Sequence, residues 1–598
     1  MKFVLRKLFV LCAVATFAFG AYAQKERSIA EVQGDSHMSP LEGSSVRLKG
    51  IVTARTRSGF YIQTPDAEID NNPETSEGIL GYTKTEPTSE ATVGNLVSVS
   101  GLVKEFRPKT APNTLAITEL EMRKNVDSIR VISTGNELPK AIVLSVADFA
   151  ANDFGQLEKY EGMRVFAEAL TVVAPTNGRF DLKNGISFSN GVFYAVLKGT
   201  PRPFREIGME IQELLASKDM NAWKKSIPKM AVFYSKTEGL RIESSEQLGA
   251  QTIDVTAKTE IGNIGGVMHF AYDRYSILTD VDSKPTILGL KKSDPLPPPT
   301  DNQFVLAGMN IENFFDDEDD PAIKEDIVTR ESFEIRMKKI SLAIRDYLHY
   351  PDIIGVTEAE NLSGLKRLAD KINSDAVAAK HENPKYEAYL IDGNDGRGID
   401  VGYLVKSSRV KVVKIEQFGK DAKFKNPVDK DEDILNDRPP LMLQVKIENR
   451  AGGEPFPLTV ITNHLKSFLG YNDLKDGGLR VRTKKKLQAE FLANFVQERQ
   501  KANPSENIVL LGDFNAYKFK EGIPFIRRAR KKKPATAEEI LMPSPDLVDP
   551  DLIDLVDLIQ SDQRYSYTFD GNAQVLDHVL INEPMRKFLV GFGYGRFN

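Results

Sequence analysis

Only one cysteine, Cys12, occurs in the 598 residues of this chain. Everything beyond it lacks thiols and disulfides, so core packing alone must hold the fold. Long apolar runs are as scarce. The one present opens the chain, MKFVLRKLFVLCAVATFAFGAYAQ, with Lys2, Arg6 and Lys7, an apolar stretch from Leu8 and a small-x-small end at Ala21, Tyr22 and Ala23. That stretch is shorter than the ~20 apolar residues of a spanning helix, and its end suits signal peptidase. Residues 1–23 are therefore expected to be an export signal cut before Gln24, and Cys12 followed by Ala13 is a poor lipoprotein site. The expectation is a secreted protein, periplasmic or extracellular, with no membrane segment after cleavage. An excess of positive charge is missing too. The net charge of −5 becomes −8 without the three cations of the leader, so a nucleic-acid partner must be held by a local basic patch.

What is present is ordinary globular composition, 41% hydrophobic and 27% charged, with length for about two to four domains. The clearest boundary is KKSDPLPPPTDNQF, where three consecutive prolines make residues 291–303 a stiff, extended linker. Before it, SSVRLKGIVTARTRSGFYIQT and GNLVSVSGLVKEF alternate apolar and polar residues between glycines, the pattern of short antiparallel strands in a small barrel. The stretch from Leu41 has an echo at Tyr160, which points to two related β-modules, residues 24–135 and 136–290. The first resembles the OB-like domain that precedes the catalytic domain in bacterial extracellular nucleases. OB-type barrels bind nucleic acid or sugar in some proteins and are purely structural in others.

Residues 304–598 alternate strands and helices. FVLAGMNIENFF reads as a strand. ESFEIRMKKISLAIRDYLH places Phe333, Met337, Ile340, Ile344 and Leu348 on one helical face. Pro351 ends that helix and DIIGVTEAEN begins a buried strand. A second amphipathic helix, with Leu487, Phe491 and Phe495 in line, feeds the apolar strand NIVLLGDFNA. This is an α/β domain in which helices cover sheets.

Polar residues punctuate the strand ends. Alternation puts Asn310 beside Glu312, Asp513 beside Asn515, and Thr462, His464 and Lys466 together, while GVTEAEN supplies Glu358. Carboxylates and amides of this kind suit a hard cation such as Mg²⁺, with Mn²⁺ or Ca²⁺ as alternatives. The constellation reads as metal-assisted phosphoester hydrolysis.

In that order, MNIENFFD, PDIIGVTEAEN, GRGIDVGYLV, DRPPLML, NHLKS, GDFNA and YSYTFDGNAQVLDHVLIN resemble the successive motifs of the endonuclease/exonuclease/phosphatase superfamily, the superfamily of deoxyribonuclease I. The resemblance implies an α/β four-layer sandwich, two packed sheets flanked by helices, preceded by the OB-like modules. It implies that Glu358 is the principal metal ligand beside Asn310 and Glu312, and that Asp513 and Asn515 position water and the scissile phosphate. His464 would sit over the phosphate, with Lys466 binding phosphate and Arg438 supporting phosphate or the site. For Arg397 and Asp400 a structural salt bridge is the simplest account.

Asp577 and His578 are neighbours on a strand and face opposite ways, so Asp577 cannot orient His578 within one cleft. The resemblance implies that Asp577 pairs with a histidine from a later Ser-Asp-His segment, and no histidine follows His578. The expectation is a truncated product, with residual hydrolysis to which His464 contributes. The basic stretches RVRTKKK at Arg480 and RRARKKK at Arg527 offer either a track for a phosphate backbone or solvated helix faces. The acidic DDEDD at Asp316 lacks the spacing of a calcium loop and reads as solvated. The function expected is a secreted metal-dependent phosphodiesterase, foremost a nuclease on extracellular DNA or RNA. The alternatives are a phosphoesterase acting on small or lipid phosphoesters and a non-catalytic binding protein. No protein partner is implied.

Overall fold

The computed structural model describes residues 25–108, 115–149, 155–205, 209–210, 232–233, 239–272, 274–321, 323–449, 452–471, 476–517 and 542–596. Residues 1–23, expected to be an export signal, and the basic stretch at Arg527 lie outside them. The described chain is mostly β, with few helices and several sheets. No helix among the described residues is long and apolar enough to cross a membrane.

Before the linker, two sheets each close on themselves. In the first, Ser45–Arg55 pairs antiparallel with both Gly59–Gln63 and Leu96–Phe106, while Gly78–Tyr82 and Ile117–Glu121 run parallel and complete a ring of five strands. The opening strand is 11 residues long and irregular in register between Val52 and Ala54, which lets one strand bend around to serve two neighbours. The second ring repeats this order. Arg164–Ala174 pairs with Val192–Leu197 and Glu260–Ala271, and Leu240–Glu243 runs parallel to Arg274–Thr279. The sequence echo falls on the opening strand of each ring. Their interiors hold separate apolar clusters, one around Leu48, Val97 and Val99, the other around Val165, Phe193 and Ile277.

The linker is largely exposed and carries no regular element. After it come a four-stranded and a six-stranded sheet. In the first, Leu306–Phe314 and Ile353–Ala359 are parallel, and Asp400–Lys406 and Tyr386–Leu390 follow antiparallel. In the second, Phe456–His464 and Ile508–Asp513 form a parallel pair between antiparallel neighbours, Leu441–Ile447 and Asp577–Ile581. Apolar residues of both sheets share one cluster, with Ile353, Val401 and Tyr403 against Leu443, Val460 and Leu511. The other face of the four-stranded sheet is covered by helices Arg330–Asp346 and Leu362–Ala378, through Phe333, Met337, Ile344, Leu365 and Ile372. That of the six-stranded sheet is covered by helix Asp476–Ala502. Here the expected face is corrected. The buried stripe is Ala489, Leu492, Ala493 and Val496, with Lys485 and Gln488, while Leu487, Phe491 and Phe495 lie half-buried on its shoulder. Small alanines let the helix approach the sheet, and the larger rings wrap its flank, where Phe495 packs on Phe418 with centroids 4.2 Å apart.

Candidate active site

Two parallel strand pairs, one per sheet, bring four strand ends to one edge of the packed sheets. Asn310 and Glu358 come from the four-stranded sheet, and His464 and Asp513, opposite each other in register, from the six-stranded sheet. Asp577 pairs with Asp513 from the antiparallel neighbour. Within this edge, Glu358, His464 and Asp513 each offer a donor atom, and these atoms all lie within 4.8 Å of one another. The His464 Nε2 is 3.8 Å from Glu358 Oε1 and 3.8 Å from Asp513 Oδ2. Asn310 straps the carboxylates together, its Nδ2 donating to Glu358 Oε1 at 3.0 Å and to Asp513 Oδ2 at 3.2 Å.

The backbone leaves regular β geometry at these positions. Glu312, Asn313, Glu358 and Asn515 all have positive φ, between 46° and 65°, a conformation non-glycine residues adopt rarely and, when they cluster, at functional sites. This corrects the pairing of Asn310 with Glu312. The two left-handed residues and a shifted register between Asn310 and Phe314 break the alternation. Glu312 is exposed, its N–H is held by Asn310 Oδ1 at 2.8 Å, and its carboxylate is not among the three converging groups. The turn also frees the Asn313 N–H to donate to Glu358 Oε2 at 2.7 Å. Because Asn310 spends its oxygen on Glu312, it faces the carboxylates with its amide nitrogen and acts as their strap.

Electrostatics follow from burial. Asp513 is pushed up to about 7, first by loss of water and then by the neighbouring Asp577 and Glu358 carboxylates. Asp577 is raised chiefly by burial. The His464 imidazole is held well below its ordinary value by burial and then by Arg438 and Arg397, so it is neutral near pH 7. Two carboxylates brought together from two sheets, offering hard oxygen donors beside a neutral imidazole, fit a divalent metal.

The shell around these groups explains the remaining assignments. Asn515 is tied to protein groups. Its Nδ2 donates to the Leu465 carbonyl at 3.0 Å, and its N–H donates to Asp513 Oδ1 at 2.7 Å, which fixes that carboxylate. Arg438 is buried and committed to protein: Asp395 at 2.7 Å and the carbonyls of His464 and Leu465 at 3.3 and 3.2 Å. It shapes the His464 loop. Lys466 is half-buried beside the site, and burial lowers its pKa. Arg397 pairs with Asp395 at 3.3 Å, whereas Asp400 holds the Gly393 N–H at 2.9 Å, so the expected Arg397–Asp400 bridge is replaced by two separate ties. Gly512, φ +127°, precedes Asp513 where a Cβ would lie 2.1 Å from the Asn463 carbonyl oxygen. Gly512→Ala is expected to lose about 3 kcal/mol of stability, measured by chemical denaturation, because both the dihedral and the backbone contact oppose it.

Sequence reasoning missed three supports. Arg336 binds the carbonyls of Ile311 and Glu312 and so pins the turn. Ser566 Oγ accepts the N–H groups of Leu576 and Asp577, at 3.0 and 3.2 Å. Lys485 is buried and bonds the carbonyls of Lys466 and Asn515, at 2.6 and 2.5 Å, joining the two loops that carry His464 and Asp513. Its position in a cationic run concealed it. In that run Arg482 bonds the Tyr471 carbonyl and Lys484 pairs with Asp437, both buried, while the partly exposed Arg480 is paired with Asp433. The acidic stretch is likewise not simply solvated. Asp316 is buried, bonding Glu318 N–H and Asn361, and Asp317 pairs with Arg367.

Asp577 and His578 do diverge. His578 is buried between Asp554, at 2.9 Å, and the Ala516 carbonyl, also at 2.9 Å, with its ring edge against Phe514. Asp554 raises its pKa against the opposing effect of burial. Among the described residues no hydrogen bond joins the Asp577 carboxylate to an imidazole, and the Asp577 carbonyl accepts the Tyr594 hydroxyl at 2.7 Å.

The sequence profile of the Endonuclease/Exonuclease/phosphatase family matches residues 305–587, the segment that builds both sheets and this edge. The match covers a little under half of the chain, and it is this segment that resembles the family. Members of the family are phosphoester hydrolases. No curated protein matches the sequence. Solved structures similar to the domain include a mannosyl-6-phosphatase of Bacteroides thetaiotaomicron, 13% identical, covering 47% of this chain and 86% of that one, TM-score 0.28. The human nocturnin catalytic domain is 12% identical over 46% and 81%, TM-score 0.27, and a truncated Caenorhabditis elegans TDP2 is 18% identical over 42% and 77%, TM-score 0.26. These overlaps are too low to carry a substrate across.

Proposed function

We propose that the chain is a secreted, Mg²⁺-dependent phosphodiesterase that cleaves extracellular nucleic acid. The observation that carries this is the convergence of Glu358, Asp513 and His464 at one edge of the family's two packed sheets. We read the three apolar clusters of this domain as the interior of a four-layer sandwich, and the two five-stranded rings, whose strand order includes one parallel pair, as OB-like barrels. Export rests on the leader at residues 1–23.

Glu358 and Asp513 would hold the metal, which supplies Lewis-acid polarisation of a phosphoryl oxygen when bound. Asn310 keeps the two carboxylates together. Neutral His464 is suited to donate a hydrogen bond to a phosphate oxygen. Asp577, its pKa raised, is placed beside Asp513 to hold a proton at a carboxyl oxygen. The deciding experiment is nicking of supercoiled plasmid by residues 24–598 with Mg²⁺ and with EDTA. Metal-dependent nicking supports the reading, and its absence in a folded chain sinks it.

A second reading, hydrolysis of a smaller phosphoester, is favoured by the pairing of Arg480, Arg482 and Lys484 with protein groups, which engages three cations of this helix. Binding of plasmid that weakens steeply with salt would argue against it.

Metal affinity should depend on pH. Asp513 keeps its proton up to about pH 7 in the metal-free chain, and a metal must displace it. Below that pH the apparent Mg²⁺ or Mn²⁺ dissociation constant is expected to rise about tenfold per unit, and above it to level off. Calorimetric titration at pH 5.5, 6.5 and 8 checks the slope.

A further inference from the structure

The second ring reaches the active site of the other domain at the hairpin that delivers Asp577. The hairpin pairs Tyr567–Phe569 with Asn572–Gln574 through a two-residue Asp570-Gly571 turn, both residues at positive φ, the geometry for which Asp-Gly is preferred. From its base, Ser566 accepts the N–H groups of Leu576 and Asp577. The hairpin's orientation therefore sets where Asp577 lies beside Asp513.

Four bonds from the second ring hold this hairpin. The Tyr194 hydroxyl donates to Asp570 Oδ1 at 2.9 Å, and the Arg274 guanidinium donates to the Asp570 carbonyl. The segment Pro203–Arg205 adds alongside it like an extra strand: Ala573 N–H donates to the Pro203 carbonyl at 2.8 Å, and Arg205 N–H to the Ala573 carbonyl at 2.9 Å. The Arg274 guanidinium lies 5.0 Å above the Tyr194 ring, and Gly571 sits so close that a Cβ there would be 2.9 Å from Tyr194 Cβ. An isolated two-stranded hairpin is marginal in water, so these contacts supply the order that the hairpin cannot supply for itself.

We infer that Tyr194 and Arg274 of the second ring are positioning residues for the catalytic domain, acting through the Asp570 turn to place Asp577. The inference rests on the phosphodiesterase reading for its catalytic consequence, while the ordering of the hairpin is independent of it. The β-module is accordingly a working part of the active site, and the chain's chemistry depends on the junction between ring and domain.

The test uses residues 24–598 carrying Tyr194→Phe, Arg274→Met or both, with hydrogen–deuterium exchange read at residues 566–577 and steady-state kinetics on a phosphodiester. Exchange in the hairpin is expected to speed up about fivefold to tenfold with each change, the scale of one lost hydrogen bond. Strands Leu306–Phe314 and Ile353–Ala359 should not change. The kcat is expected to fall by about the same factor at unchanged KM. Unaltered exchange in the double variant overturns the inference, as does unaltered kcat per folded molecule when exchange has risen. If the unsubstituted chain hydrolyses no phosphodiester, the functional reading fails, and the exchange result decides the positioning by itself.

Discussion

Glu358→Gln is expected to lower metal-dependent phosphodiester hydrolysis by about three orders of magnitude, leaving the fold intact. Glu358 is one of only two carboxylates within the converging group, and its two oxygens are engaged by Asn310 and by the Asn313 N–H. Glutamine preserves the volume but removes the charge, and its amide nitrogen meets a donor on whichever side it turns. Losing a charged ligand removes several kcal/mol of stabilisation of the reaction, and each ~1.4 kcal/mol is a factor of ten. The measurement is plasmid nicking together with calorimetric titration of Mn²⁺. Both activity and affinity should fall. Activity unchanged in this variant would favour the binding-protein alternative for any hydrolysis seen.

Substituting His464 should separate chemistry from metal binding. His464→Ala is expected to reduce kcat by about 10²–10³ while changing Mn²⁺ affinity less than about tenfold, because the imidazole lies 3.8 Å from each carboxylate and its role is toward the phosphate. It is buried and neutral, kept so by desolvation and the cations Arg438 and Arg397. Its contribution is therefore a fixed hydrogen-bond donor, and the activity lost should not return on acidification. A variant that loses metal affinity as steeply as Glu358→Gln would instead make His464 a ligand.

The candidate site was legible where motif order and strand alternation agree. Glu358, His464 and Asp513 were expected together and are together, because each ends a strand whose apolar core residues leave only its last polar position at the edge. Glu312 was misplaced for a physical reason: alternation holds only while the backbone stays β, and two left-handed residues end it there. Lys485 was misread, and the choice for Arg438 between phosphate and site support stayed open, because a cation in the sequence does not show whether carbonyls await it inside the fold. The rotated face of helix Asp476–Ala502 has a similar origin. Large side chains mark an apolar stripe in sequence, yet close approach to a sheet selects the small alanines.

The sequence by itself determined the separation of a β-rich half from an α/β half at the proline run, the absence of any cross-link after Cys12, and the residue types of a hard-cation site. These are local properties: torsional limits of proline, thiol content, and donor chemistry. The tertiary structure alone decided which carboxylates converge, which cations are spent inside, and that Tyr194 and Arg274 reach across from a β-ring to the Asp577 hairpin. Such contacts join residues from 30 to 376 positions apart, and no periodicity or spacing along a chain encodes a distance that only packing creates.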